Sequence, residues 1–307
     1  MFDTDTSTGT PAEYIARRTK TVGEMFLRRV ERDTDKPAFF FKADGEWQPV
    51  SWNEFAERSG AVAAYLMGLG LQVGDKVCMV GSTTPAWCYC DIGGQLAGAV
   101  TLGAYPTLTP KQLAYILDHA DAKVAFVEGI EEINKILARR QELTQLEKVI
   151  VWDTAGAESL MAAHDWLVPF DRVLATPVDR AAIEARAAEV DPSATAIIVY
   201  TSGTTGPPKG AMISHANIMT IMRDQDEALQ VYEEDTSLSF LPMAHVAERV
   251  LAFYGRINTG MSTYFASSIA KVLEEVVEVR PTVFGSVPRI FEKAYAKILS
   301  TVDQAPP

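Results

Sequence analysis

The chain has 307 residues, 48 % of them hydrophobic and 22 % charged, enough to bury one large core or two ordinary ones. Its net charge of −12 speaks against a nucleic-acid partner, which wants a basic face, and against an electrostatic grip on anionic lipid. An anionic substrate would therefore need a local positive site.

Residues 1–12 are polar and Thr-rich, with no apolar segment of the signal-peptide kind, and read as a disordered tail. Thr21-Val-Gly-Glu24 has the form of a capping box and opens a helix through Glu31. Asp44-Gly45 between Ala38–Lys42 and Trp47–Val50 predicts a hairpin. A second capping box, Ser51-Trp-Asn-Glu54, starts a helix to Leu69. The chain then alternates. Strands are predicted at Val77–Val80, Ala99–Leu102, Lys123–Val127 and Lys148–Trp152, with helices at Pro85–Ala97, Pro110–Ala120 and Glu131–Gln141. Short links between such units argue for a parallel sheet covered by helices on both faces. Cys78, Cys88 and Cys90 are odd in number; with no second Cys/His pair beside Cys88-Tyr-Cys90, they read as reduced, buried thiols rather than metal ligands.

Residues 153–178 are less regular and read as a connection. A helix at Asp179–Glu189 leads to a buried strand, Ala196–Tyr200. After residue 210 come a short strand, a helix capped by Ser214, strands at Ser237–Leu241, Ser262–Phe265 and Thr282–Gly285, and helices at Ala244–Ile257, Ile269–Val279 and Pro288–Leu299. The expected fold is α/β: two stacked layers of mainly parallel sheet with flanking helices. A first subdomain would span 13–178. A second, 179–307, would carry the phosphate loop near its start and be incomplete at its C-terminal end.

Between the strands stands Ile198-Val-Tyr-Thr-Ser-Gly-Thr-Thr-Gly-Pro-Pro-Lys-Gly210. Its glycines let backbone N–H groups approach an anion, its hydroxyls donate to phosphate oxygens or offer lone pairs to a metal, and Lys209 adds a point charge. Few Ser/Thr/Gly-rich surface turns carry hydroxyls, glycines and lysine in this order. The spacing departs from the G-x-x-x-x-G-K-[ST] loop, and Ala211-Met-Ile after it reads as a strand, so it is a phosphate loop of another kind. Ser202 fails the G-x-S-x-G nucleophile spacing.

The pattern T-S-G-T-T-G-x-P-K-G resembles the signature of the adenylate-forming superfamily, which includes acyl-CoA synthetases, luciferases and peptide-synthetase adenylation domains. Ala99–Pro110 resembles its strand into a Pro-rich turn, a structural motif. Leu241-Pro-Met-Ala-His245-Val-Ala-Glu-Arg249 is similar to the form in long-chain acyl-CoA synthetases, which implies that His245 stands beside the acyl carboxylate at the head of a helix. On spacing alone it is a helix-start histidine without a role, and Glu248 and Arg249 read as solvated helix charges. Thr282–Lys293 resembles the same branch and implies that Gly285, Ser286, Val287 and Pro288 border an acyl pocket; an ordinary strand–loop–helix corner fits those residues equally well. His119 and His164 have no polar constellation and are assigned no role.

The resemblance implies ATP-dependent activation of a fatty acid through an acyl-adenylate to acyl-CoA, with ATP, Mg²⁺ and coenzyme A. It implies Thr201, Ser202, Gly203, Thr204, Thr205, Gly206 and Lys209 at the triphosphate, Thr201 also at Mg²⁺, and Lys209 and His245 in the chemistry. Two alternatives stand beside it: a non-catalytic nucleotide-binding remnant, and an adenylating relative acting on aryl acids or amino acids. The forms at 241–249 and 282–293 speak against the latter. Partners are expected to be small molecules, in the cytoplasm, with room left for peripheral contact at a membrane but no spanning segment. Proteins of the family carry further motifs, among them a Tyr/Gly/Thr/Glu motif for Mg²⁺, an aspartate for the ribose and a C-terminal lysine. None is found here. The chain thus resembles the N-terminal half of a family protein, and residues 1–307 by themselves are expected not to form acyl-CoA.

Overall fold

The structure, a computed structural model, describes residues 15–201 and 206–303. After a 3-10 turn at Ile15–Arg18, the first half runs α1 Val22–Asp33, β1 Pro37–Ala43, β2 Glu46–Ser51, α2 Trp52–Gly68, β3 Lys76–Val80, α3 Pro85–Leu96, β4 Val100–Ala104, α4 Pro110–His119, β5 Ala122–Val127 and α5 Ile130–Leu137. There follow β6 Lys148–Val151, α6 Glu158–Ala163, β7 Leu167–Pro169, α7 Phe170–Leu174, α8 Arg180–Ala188, β8 Thr195–Thr201, β9 Lys209–Ser214 and α9 His215–Ala228. The last part holds β10 Thr236–Ser239, a π-helix at Ala247–Tyr254, α10 Gly255–Thr259, β11 Ser262–Phe265, α11 Val272–Val279 and α12 Pro288–Asp303. The expected capping box closes at Ser51/Glu54; at Thr21 the side chain caps the Glu24 amide, but the Glu24 carboxylate takes the Lys20 amide instead, and a further box forms at Thr109/Gln112, with Pro110 in the first turn.

The strands form two sheets, as expected, but with a different membership. The seven-stranded sheet has the order β7-β6-β5-β3-β4-β8-β9, parallel except for the β8–β9 hairpin. The four-stranded sheet has the order β10-β11-β1-β2. The strands flanking the phosphate loop therefore belong to the first layer, not the start of the second: β8 extends the first sheet by pairing in parallel with β4. The N-terminal hairpin goes the other way, β1 pairing in parallel with β11. Strand pairing is decided by which edge is open, not by order along the chain. Residues 153–178, read as a connection, instead supply α6, β7 and α7, and β7 completes one edge of the large sheet. Thr282–Gly285 makes a single bridge, Ser237 with Val283, rather than a strand.

Side chains of the large sheet alternate between two cores, as the period of two requires. Val77, Met79, Val124, Phe126, Ile150, Ile197 and Val199 face the core shared with the second sheet. Cys78, Val80, Ala125, Val127, Val149, Val151 and Ile198 face the helical layer of α4 and α5. Helices α2 and α3 pack against each other between the sheets, α3 touching β3 and β4 while α2 touches β1 and β2. Their approach depends on Gly93, where a Cβ would lie 2.4 Å from Val62. Aromatic rings tie the second sheet to this layer: Phe55 lies 4.7 Å from Phe26 and 5.1 Å from Phe39, which lies 5.4 Å from Phe265. All three cysteines are free and buried, as expected. Among the described residues no helix is long and apolar enough to cross a membrane.

Candidate active site

β3, β4 and β8 run in parallel and end on one rim, where the crevice of an open α/β sheet lies. Thr201 is the last residue of β8 and Lys209 the first of β9, and the two are paired across the strands. Both are exposed, so an exposed hydroxyl and an ammonium stand at the two ends of the loop. Among the described residues the Lys209 side chain has no hydrogen-bond or ion-pair partner. Gly206 takes φ = +142°, which suits glycine. Ser202, Gly203, Thr204 and Thr205 lie outside the described residues.

His245 reaches the same rim by a close contact. Gly103 of β4 pairs with Val199 of β8. On its other side a Cβ at Gly103 would lie 2.8 Å from the Cα of Ala244, so only glycine admits the turn there. The link from β3 adds a second tie, Thr83 Oγ1 donating to the Leu241 carbonyl at 2.6 Å. His245 itself is exposed, in the turn before the helix rather than on it. Its Nδ1 accepts from the Ala247 amide at 3.1 Å. The neutral ring then carries its proton on Nε2, free to donate outward.

The helix that follows begins at Ala247, three residues later than expected, and is π-wound through Tyr254. A π-helix repeats i→i+5 and so stacks residues five apart on one face. Arg249 and Tyr254 are such a pair, and both reach Asp91 of α3: Arg249 Nη2 to Oδ1 at 2.5 Å and Tyr254 Oη to Oδ2 at 2.8 Å. Thr101 of β4 donates to Asp91 at 2.6 Å and is also bonded to Arg249, whose guanidinium lies 5.1 Å from the Trp87 ring. Burial holds the Tyr254 phenol well above its usual range. Glu248 is buried too, taking Ser239 Oγ at 2.5 Å and Arg256 at 3.0 Å. The reading of Glu248 and Arg249 as solvated helix charges is thus overturned. Arg249 is neutralised by Asp91 of α3 and held by Thr101 of β4, both about 150 residues away, and Glu248 by Arg256 of α10, eight residues on, once the chain folds back in the interior.

Beside the His245 turn, Leu241 and Ala247 line a cavity of about 310 Å³. Leu229, Val231, Leu251, Met261 and Val283 make much of its wall apolar, and Gly285, Ser286 and Val287 also line it. Pro288 does not; it opens α12. His245 stands next to the cavity rather than in its wall. As for Mg²⁺, no three His, Cys, Asp or Glu side chains among the described residues come together to hold a metal, and Thr201 offers one hydroxyl. These residues do not by themselves fit a Mg²⁺ site; a divalent ion there would rest chiefly on the phosphates it accompanies.

Residues 26–305 match the profile of the AMP-binding enzyme family, and the chain belongs to that family. Among curated relatives it is 29 % identical over 284 residues to the human long-chain-fatty-acid–CoA ligase ACSBG2, covering 91 % of this chain and 42 % of the relative. It is 30 % identical over 293 residues to rat ACSBG2, covering 92 % and 43 %. The chain thus spans less than half the length of these relatives. The adenylation domain of a carboxylate reductase from Mycobacterium chelonae shares the fold with a TM-score of 0.81 at 22 % identity, over 97 % of this chain and 51 % of that one. A fatty acyl CoA synthetase from Mycobacterium tuberculosis does so with a TM-score of 0.74 at 22 % identity, over 89 % and 50 %.

Proposed function

We propose that this chain carries the triphosphate and acid subsites of an ATP-dependent fatty acid–CoA ligase. The observation that carries the reading is the meeting at one rim of three features: the Thr201–Lys209 pair, the His245 turn seated on Gly103, and the apolar cavity beside that turn. The curated relatives, named as long-chain-fatty-acid–CoA ligases, support the acid class.

In the proposed reaction a carboxylate oxygen attacks the α-phosphorus of ATP. The bond from that phosphorus to the bridging oxygen breaks, and pyrophosphate leaves. The thiol of coenzyme A then adds to the acyl carbonyl, AMP leaves, and the thiol proton passes to solvent. No protein nucleophile is needed; the protein supplies alignment and charge neutralisation. Lys209, with Thr201, Ser202, Gly203, Thr204, Thr205 and Gly206, receives the triphosphate. His245 donates from Nε2 to the acid, whose chain enters the cavity past Gly285, Ser286 and Val287.

The test is fatty-acid-dependent ATP–pyrophosphate exchange, with ATP binding measured by calorimetry, in the wild type and Lys209→Ala. Exchange in the wild type, falling about tenfold or more in the variant as expected for a charge-assisted phosphate contact of roughly 1.5–3 kcal/mol, supports the reading. Exchange unchanged in the variant rules out the role of Lys209. ATP binding without exchange would mark the chain as a nucleotide-binding module, and exchange driven by aryl or amino acids alone would overturn the fatty-acid assignment.

A further inference from the structure

One side-chain cluster near the rim has no part in the reading above. Tyr115 and His119 stand one helical turn apart on α4, the i,i+4 spacing that puts both on one face. Tyr115 Oη donates to the Pro208 carbonyl at 3.0 Å. His119 Nδ1 is hydrogen-bonded to Tyr200 Oη at 2.8 Å. The His119 ring stacks on Tyr115 with centroids 5.2 Å apart and meets Tyr200 edge-on at 5.8 Å. Tyr200 and Pro208 are the residues immediately before Thr201 and Lys209.

We infer that Tyr115 and His119 form a clamp that positions Thr201 and Lys209 for a polyphosphate; this rests on the phosphate reading of the loop. The chemistry of the stretch calls for such an outside hold. Pro207 and Pro208 have no N–H and cannot donate to a sheet partner, so carbonyls are the backbone handles just ahead of Lys209, and Tyr115 takes one. On the entering side, Tyr200 is paired with Gly210, where a Cβ would lie 3.3 Å from its ring and 2.8 Å from Ile198. The glycine leaves the ring room to lie across the hairpin toward α4, as aromatic residues do over strand glycines. Burial, first of all, pushes the Tyr200 phenol up to about 12, so it keeps its proton and can donate to the His119 Nδ1 lone pair in the Nε2–H tautomer. A helix from the first α/β run thereby fixes both ends of the loop. His119, assigned no role from the sequence, gains its partner only through this contact.

The experiment compares the wild-type chain with Tyr115→Phe, His119→Ala, the double variant and His119→Gln, which keeps an acceptor. Two readouts are taken: hydrogen exchange at the amides of Lys209 to Ala211, and calorimetric affinity for inorganic tripolyphosphate. Urea midpoints serve as the control for global stability. We expect Tyr115→Phe and His119→Ala each to weaken tripolyphosphate binding by about fivefold, the equivalent of one net hydrogen bond. Exchange at Lys209 and Gly210 should speed up by a similar factor. His119→Gln should recover most of both. Unchanged exchange in the double variant would overturn the clamp, as would changes that merely follow the urea midpoint. A wild-type chain that binds no tripolyphosphate while its exchange responds would break the phosphate reading and leave the mechanical clamp standing.

Discussion

Two basic side chains near the rim differ in burial. Lys209 is exposed at the start of β9, its side chain without a partner among the described residues. Arg249, four residues after His245, is 1 % exposed and bound to Asp91, Thr101 and the face of Trp87. A solvated ammonium adds little to stability and remains free for a ligand. A buried guanidinium is committed to the fold, since removing it leaves a carboxylate uncompensated in the interior. The rim thus separates a charge open to a ligand from the charge that holds the platform, and proximity to the site does not by itself tell which is which.

The largest expected effect is at the platform. Arg249→Met should cost about 3–5 kcal/mol in urea unfolding, because the buried Asp91 carboxyl loses its charged partner. Adding Asp91→Asn should recover much of that loss. A single variant within 1 kcal/mol of wild type would show that the buried network does not hold this junction.

A second buried polar group gives the contrast a pH signature. His215, at the head of α9, is buried and accepts from the Val22 amide through Nδ1 at 3.2 Å. Burial lowers its pKa to about 4 from an ordinary 6.5. The folded state therefore favours the neutral ring. Its contribution is intact above pH 6.5 and is lost as pH falls through that value toward about 4, on the order of 3 kcal/mol in all. His215→Gln should flatten this part of the stability–pH curve; a curve of unchanged shape would mean the ring titrates alike in the folded and unfolded chain.

Gly103 tests the contact that brings the two halves of the rim together. Gly103→Ala puts a methyl 2.8 Å from the Ala244 Cα, and backbone cannot give way as a side chain can. About 1–3 kcal/mol of destabilisation is expected, together with a shifted His245 ring resonance. A shift without destabilisation would mean the turn moves freely on the sheet. The smallest effect belongs to the exposed side. Lys209→Ala should leave the urea midpoint within the equivalent of about 0.5 kcal/mol, even where polyphosphate binding falls.

Much of this was legible in the residues. Short apolar runs between helical stretches named most strands, a capping box placed the start of α2, and the order of hydroxyls, glycines and Lys209 marked the loop. These are local signals: they depend on neighbours within a few residues, where backbone geometry dictates which side chains share a face. What tertiary structure alone decided was pairing across the chain. That β8 closes on β4 and β1 on β11, that Arg249 and Tyr254 meet Asp91 through a π-wound turn, and that His119 finds Tyr200, all depend on residues roughly 80 to more than 200 positions apart. Arg249 looks like a surface charge because its burial is set by Asp91 and Thr101, which lie far from it in the chain.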